Sequence, residues 1–105
     1  MAEHPPNTRV GVAWYFEDEW QSLRDGAADP EVLEPTYQEW VQVFEKGLRD
    51  LAEAGVVPER VEVRVAALGA WCLKHHRKLD GAARSEFVAE LLRSRYEGAA
   101  GSSGA

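Results

Sequence analysis

Large apolar residues alternate with small ones near the start of the chain, where Gly11 and Ala13 separate Val10, Val12 and Trp14. This period of two is typical of a strand and covers residues 9–15. An acidic stretch then opens residues 16–26, where Trp20 falls on a helical face and a glycine provides the stop. The pattern predicts a strand, a short helix and, from Pro30, at most one further helical turn.

The longest helical pattern follows Thr36. Thr36 and Glu39 have the spacing of a capping box, in which each side chain satisfies a free amide at the start of a helix. Apolar residues then recur every three or four positions, and Gly55 supplies a left-handed stop. These features predict a helix over residues 37–54.

A second alternation covers residues 61–65, after Pro58 has interrupted the chain, and predicts a strand with one solvated face. Helical spacing returns over residues 66–76. Asp80 is suited to cap a last helix, predicted to run from residue 81 to residue 96.

The predicted order is β-α-(α)-α-β-α-α, an α+β fold with a two-stranded sheet covered by about four helices. A long helical crossover between the strands favours parallel pairing. We expect a lead-in at residues 1–8, one domain at residues 9–96 and a flexible Gly/Ser tail at residues 97–105. A two-stranded sheet leaves exposed edges, so the pattern also predicts dimerisation by sheet extension.

The chain has 105 residues and a net charge of -6, which fits one domain whose core needs neither disulfides nor metal. No apolar run reaches the length of a membrane span, and no signal peptide precedes the first strand. A single cysteine, Cys72, is typical of a reducing compartment. We therefore expect a cytoplasmic protein without membrane contact.

The absence of isoleucine, with nine arginines against three lysines, indicates a GC-rich bacterial genome.

Charge is unevenly distributed along the chain. Residues 1–55 carry a net charge of -8, whereas residues 56–105 carry +2. Solvated helix faces account for this asymmetry most simply, and an acidic recognition face is the alternative.

Four short motifs carry a resemblance to other proteins, namely Val12-Ala13-Trp14-Tyr15, Thr36-Tyr37-Gln38-Glu39-Trp40, Ala70-Trp71-Cys72 and Ala83-Arg84-Ser85-Glu86-Phe87-Val88. Together with Trp20 they resemble a group of short bacterial proteins of unknown function, over most of residues 9–96. The resemblance implies a small bacterial α+β protein. It transfers no activity, cofactor or catalytic residue.

Aromatic residues form the preferred candidate site, which consists of Trp14, Tyr15, Trp20, Tyr37 and Trp40. A strand end facing a helix start is a typical place for a ligand crevice, and tryptophan and tyrosine are common anchors at interfaces. The same residues also suit a core, because a small protein without isoleucine must fill its interior with other large side chains.

Cys72 and His75 form the basis of an alternative, a small enzyme or a metal-dependent binder. The two residues and His76 share one helical face. A zinc site needs three or four ligands, and the remaining histidine lies in the lead-in. We therefore expect no metal and no cofactor, and a half-buried thiol beside exposed histidines.

A basic stretch provides a second alternative, nucleic-acid binding, through Lys74, Arg77, Lys78 and Arg84. Cations at the end of a helix also complement its negative dipole. The net negative charge of the chain and the lack of a recognisable DNA-binding motif favour this role at the end of a helix over nucleic-acid binding. The leading hypothesis is therefore a non-enzymatic protein-interaction module, binding an unknown protein or a second copy of itself.

Overall fold

A computed structural model describes residues 9–104, with side chains through residue 97. Within this part of the chain, four helices and a two-stranded parallel sheet confirm the predicted α+β fold. The strands are β1 (Arg9–Trp14) and β2 (Val57–Glu62), and the helices are α1 (Trp20–Gly26), α2 (Tyr37–Glu53), α3 (Val65–Lys74) and α4 (Gly81–Gly104). Short 3-10 turns flank α1 at Glu17–Glu19 and Pro30–Val32.

The two strands pair in parallel, with Arg9 opposite Val57 and Trp14 opposite Glu62. The connection between them contains α1 and α2, and a crossover of this kind is what parallel strands require. Among the described residues the sheet has only these two strands, so each strand has one unpaired edge.

The position of β2 differs from the prediction, which placed this strand at residues 61–65. The strand ends at Glu62, and Val65 begins α3. Pro58 lies inside the strand instead of before it. A proline is tolerated there because β2 is an edge strand, whose outer side needs no backbone donor. Pairing with β1, and not the valine alternation alone, determines which residues form the strand.

Helix α2 begins where the capping box predicts. The Glu39 amide donates to Thr36 Oγ1 at 3.2 Å, and the Thr36 hydroxyl donates to Glu39 Oε1 at 2.9 Å. After the helix, Gly55 has a φ of +80°, a left-handed conformation that glycine adopts without steric cost. Residues near each end therefore determine the extent of α2.

The sheet lies between α2 and α4. Trp14 of β1 points toward α2, where its ring lies 5.2 Å from that of Trp40. On the opposite face of β1, a Cβ atom at Gly11 would lie 3.0 Å from Val88 Cγ1 of α4. Glycine at this position allows the helix to pack closely against the strand. The core is formed by Tyr15, Trp20, Leu23, Leu33, Trp40, Val61, Val63, Leu68, Cys72, Ala83, Phe87 and Val88.

The ends of the chain bear on the predicted boundaries. The lead-in predicted for residues 1–8 lies outside the described residues. The backbone of α4 continues past residue 96, where the last helix was predicted to end, and the flexibility of residues 97–105 stays a prediction. No described helix combines the length and the apolar character needed to cross a membrane.

Candidate functional site

All five residues of the predicted aromatic site lie in one cluster. Trp40 is at its centre, with ring centroids 5.2–5.4 Å from those of its four aromatic partners in the set. β1, α1 and α2 each contribute at least one ring, so the cluster joins three elements that are distant in sequence. Tilted and edge-on ring pairs of this kind stabilise the packing beyond the area they bury.

The cluster is mostly interior. Tyr15, Trp20 and Trp40 are 5, 4 and 8% exposed, whereas Trp14 and Tyr37 are half-buried. Two of the polar ring atoms are satisfied internally: the Tyr37 hydroxyl donates to the Tyr15 carbonyl at 2.8 Å, and Trp20 Nε1 donates to the Glu34 carbonyl at 3.2 Å. On the α2 side of the sheet a partner can reach only the exposed parts of Trp14 and Tyr37, and binding by the five-residue cluster stays a prediction.

Arg60 covers part of that remaining surface. Its guanidinium lies 4.3 Å from the Trp14 ring centroid and 5.7 Å from that of Phe44, within the range of cation–π attraction. The accessible rim of the cluster is therefore cationic as well as aromatic.

A groove of about 1200 Å³ lies on the other face of β1, between this strand and α4. Gly11, Ala13 and Tyr15 contribute one wall, and Val88 and Leu92 contribute to the apolar floor. No described residue of β2 lines it, so it lies on the side of β1 that has no neighbouring strand. Small-molecule pockets are usually about 300–1,000 Å³, so this groove is large enough for a polypeptide segment.

The backbone of β1 faces this groove with unused hydrogen-bonding groups. The Val63 amide donates to the Trp14 carbonyl at 2.9 Å. In a parallel ladder alternate residues turn both of their peptide groups toward the neighbouring strand. Trp14, Val12 and Val10 therefore face β2, while Gly11 and Ala13 direct their N–H and C=O groups outward. Within the described residues, no other backbone or side-chain group pairs with them.

A partly buried ion pair closes the groove at the C-terminal end of β1. Arg84 Nη1 and Nη2 lie 2.8 and 3.1 Å from the two carboxylate oxygens of Asp29, and the Gly81 amide donates to the same carboxylate at 2.9 Å. Hydrogen bonding from Arg84 lowers the pKa of Asp29, and burial raises the pKa of the neighbouring Tyr15 to about 12. Asp80 caps α4 as predicted, since its Oδ1 accepts a hydrogen bond from the Ala83 amide at 2.9 Å. Asp29 satisfies one further free amide of the same helix, that of Gly81.

The four cations of the predicted basic patch are not equivalent. Lys74 and Lys78 are exposed. Arg77 pairs with Glu86 at 2.5 Å, and the side chain of Arg84, which is 10% exposed, is held by Asp29. Two of the four positive charges are therefore matched by a carboxylate, which reduces the attraction of this surface for phosphate.

Within the described part of the chain, no hydrogen bond joins Cys72 to His75. The Cys72 side chain is buried, with Sγ 3.9 Å from the Lys78 carbonyl oxygen, and burial raises the pKa of its thiol. His75 stacks on Trp71 with ring centroids 4.5 Å apart. A nucleophilic cysteine requires a lowered pKa, so the surroundings of Cys72 oppose formation of a reactive thiolate.

Among the described residues, no group of three or more His, Cys, Asp and Glu side chains is arranged to hold a metal ion.

No protein-family model, curated protein or solved structure matches the chain. The functional argument therefore rests on the geometry of the site. The groove was not among the sequence predictions, although Gly11 within an apolar strand is a signal of close backbone approach. The partners of that glycine, Val88 and Leu92, are identified only by the tertiary structure.

Proposed function

We propose that this chain is a non-enzymatic protein-interaction module that binds an extended polypeptide segment along the free edge of β1. The observation that carries the proposal is the outward direction of the peptide groups of Gly11 and Ala13, which have no partner within the described residues. A strand edge of this kind is a template for another strand, whose backbone would complete the ladder.

The surroundings of this edge support a polypeptide occupant. A segment paired with β1 would direct alternate side chains toward α4, since strand side chains alternate between faces. The half-buried Leu92 and the exposed Ala89 provide an apolar surface at that position, with the core residue Val88 beneath it. β1 spans about 20 Å, which matches a bound segment of about six residues.

The aromatic cluster supports this site from behind. Tyr15 belongs both to the cluster and to the groove wall, and its ring packs 5.4 Å from that of Trp40. Buried rings on the opposite face of β1 hold the strand in position, so the edge is rigid before a partner arrives. A preformed edge lowers the entropy lost on binding.

A bacterial cytoplasm is the location we propose, because the one cysteine is a buried free thiol that needs no oxidising compartment. Self-association is one form of the same binding mode. In that case β1 of a second copy would be the added strand, and the two sheets would merge into one. Sedimentation velocity at micromolar concentration measures this directly.

Selection of random peptides of about ten residues on the immobilised protein tests the proposal, since a strand rarely exceeds that length. Ala89→Trp fills the groove, and Ala82→Trp is the matched control because Ala82 is also exposed on α4 but does not line the groove. Ala13→Pro removes one outward amide and leaves the bonds to β2 in place. We expect enriched peptides whose binding is lost in Ala89→Trp and Ala13→Pro but retained in Ala82→Trp.

Two results would overturn the proposal. One is a set of enriched peptides that bind Ala89→Trp and the wild type equally well. The other is that no peptide is enriched and the protein sediments as a monomer. In that case the β1 edge binds neither a peptide nor a second copy of the chain. Melting curves establish whether each variant is folded. If Ala13→Pro does not fold, Ala89→Trp still tests the proposal.

A further inference from the structure

We infer that the segment bound along β1 is acidic, and that its carboxylates lie at the end of the groove formed by Arg9 and Arg93. This inference rests on the proposed function and adds to it the charge and the orientation of the bound segment. It follows from the distribution of charge around the groove.

The groove is lined by three arginines, Arg9, Arg84 and Arg93, and by one acidic residue, Glu97. This excess of positive charge is unusual in a chain whose net charge is -6. Interfaces are commonly complementary in charge, which increases the rate of association and excludes partners of the wrong sign. An acidic segment is the occupant that matches this lining.

The positive charge is concentrated at one end. β1 and α4 run in opposite directions. Arg9, the first residue of β1, shares Glu59 with Arg95 late in α4, whereas Tyr15, just after β1, lies close to Arg84 in the first turn of α4. Arg84 is matched by Asp29 in a two-pronged ion pair. Arg93 is exposed and forms no ion pair with any described side chain. Glu97 lies four residues after Arg93 and offsets part of this charge. The N-terminal end of β1 therefore has three arginines, Arg9, Arg93 and Arg95, and two carboxylates, Glu59 and Glu97, which leaves one positive charge in excess.

Glu59 reduces the charge at that end without cancelling it. Its carboxylate is shared by Arg9 at 3.4 Å and Arg95 at 2.5 Å, and it also accepts a hydrogen bond from the Tyr96 hydroxyl. One carboxylate thus serves two guanidinium groups, and Arg93 remains available beside them. A bound carboxylate would complete this set of charges.

The apolar floor determines the rest of the segment. Ala89 is exposed and Leu92 half-buried along the groove, so side chains of the added strand that point toward α4 meet an apolar surface. We therefore expect apolar residues at two alternate positions, followed by Asp or Glu where the segment reaches Arg93. An exposed ion pair contributes less to affinity than the apolar contacts, but it sets the direction of the segment.

Two synthetic peptides test the inference by fluorescence anisotropy. Both have the same alternating valine core, and one ends in two glutamates where the other ends in two lysines. We expect the acidic peptide to bind the wild type about tenfold more tightly at low salt, with a smaller ratio at high salt. Arg93→Glu should abolish or reverse this preference. Arg49→Glu is the control, because Arg49 is an exposed arginine of α2 outside the groove.

The outcomes separate the inference from the proposed function. Equal binding of the two peptides, lost in Ala89→Trp, overturns the acidic preference and leaves strand addition in place. If Arg49→Glu weakens the preference for the acidic peptide as much as Arg93→Glu does, the preference reflects net charge alone. This result overturns the assignment of the carboxylates to the Arg9 and Arg93 end of the groove. If neither peptide binds and the protein forms a dimer that Ala13→Pro dissociates, the occupant of the β1 edge is a second copy of the chain. This result overturns the inference that the bound segment is acidic.

Discussion

Arg84 Nη1 lies 2.8 Å from Asp29 Oδ1, and this contact joins the loop after α1 to the first turn of α4. The two residues are 55 positions apart in the chain. Their side chains are 10 and 22% exposed, so the pair is shielded from solvent on most sides. The same carboxylate accepts a hydrogen bond from the Gly81 amide, so Asp29 supplements the local cap Asp80 at the start of a helix that is remote in sequence.

Replacing Asp29 by Asn should destabilise the protein by about 1.5–3 kcal/mol, because a partly buried guanidinium loses its charged partner. Urea unfolding followed by tryptophan fluorescence measures the change. Asp50→Asn is the control: Asp50 forms an ion pair with Lys46 on the surface of α2, and its loss should cost less than about 0.5 kcal/mol. Equal effects of the two substitutions would contradict the assigned role of the Asp29 pair.

The contribution of Asp29 should depend on pH in a defined direction. Hydrogen bonding from Arg84 holds the pKa of Asp29 below its ordinary value of 3.8. A carboxyl with a lowered folded-state pKa stabilises the protein above its unfolded-state value, and the stabilisation is lost as the pH falls through the folded-state value. The free-energy difference between wild type and Asp29→Asn should therefore be constant from about pH 7 to pH 5 and decrease below about pH 4.

Unfolding titrations of both proteins at a series of pH values give this profile. A difference that stays the same down to the lowest pH at which both proteins fold would show that the ionised carboxylate is not the source of the stabilisation.

Trp20→Ala should reduce the free energy of unfolding by about 3–5 kcal/mol, because truncating a buried ring leaves a cavity. Trp20 is 4% exposed, and its indole N–H bonds to the Glu34 carbonyl oxygen. Leu73→Ala is the control, since Leu73 is 80% exposed and its loss should change stability by less than about 0.5 kcal/mol. A normal melting curve for Trp20→Ala would contradict a core role, and loss of partner capture in that folded variant would support Trp20 as a binding residue.

The Cys72 thiol should react slowly with a disulfide reagent in the native protein. The side chain is buried and burial raises the pKa of the thiol, so little thiolate is present and access requires opening. We expect a rate about a hundredfold below that of the urea-unfolded chain. The reaction is followed by absorbance at neutral pH, with the unfolded protein as reference. Comparable rates in the two states would mean that the region around α3 opens freely.

Prediction from the sequence succeeded where the signal is local. Thr36 and Glu39 are three residues apart, and their hydrogen bonds form within one helical turn, so the start of α2 follows from these side chains alone. It was less accurate for β2, because the pairing with β1 places Pro58 inside the strand. The groove was not predicted at all, since it requires β1 and α4 to lie beside each other.

The sequence by itself determined the α+β class, the order of the elements, the parallel pairing and the limits of α2. Hydrophobic period, caps and breakers act over a few residues, and the length of the crossover constrains the direction of the second strand. Tertiary structure alone decided that the Asp29 carboxylate binds the Gly81 amide at the start of α4, that Tyr15 and Trp40 lie inside the core, and that Gly11 faces Val88. These relationships join residues separated by more than 20 positions, and close packing, which no local pattern encodes, selects among the possible contacts.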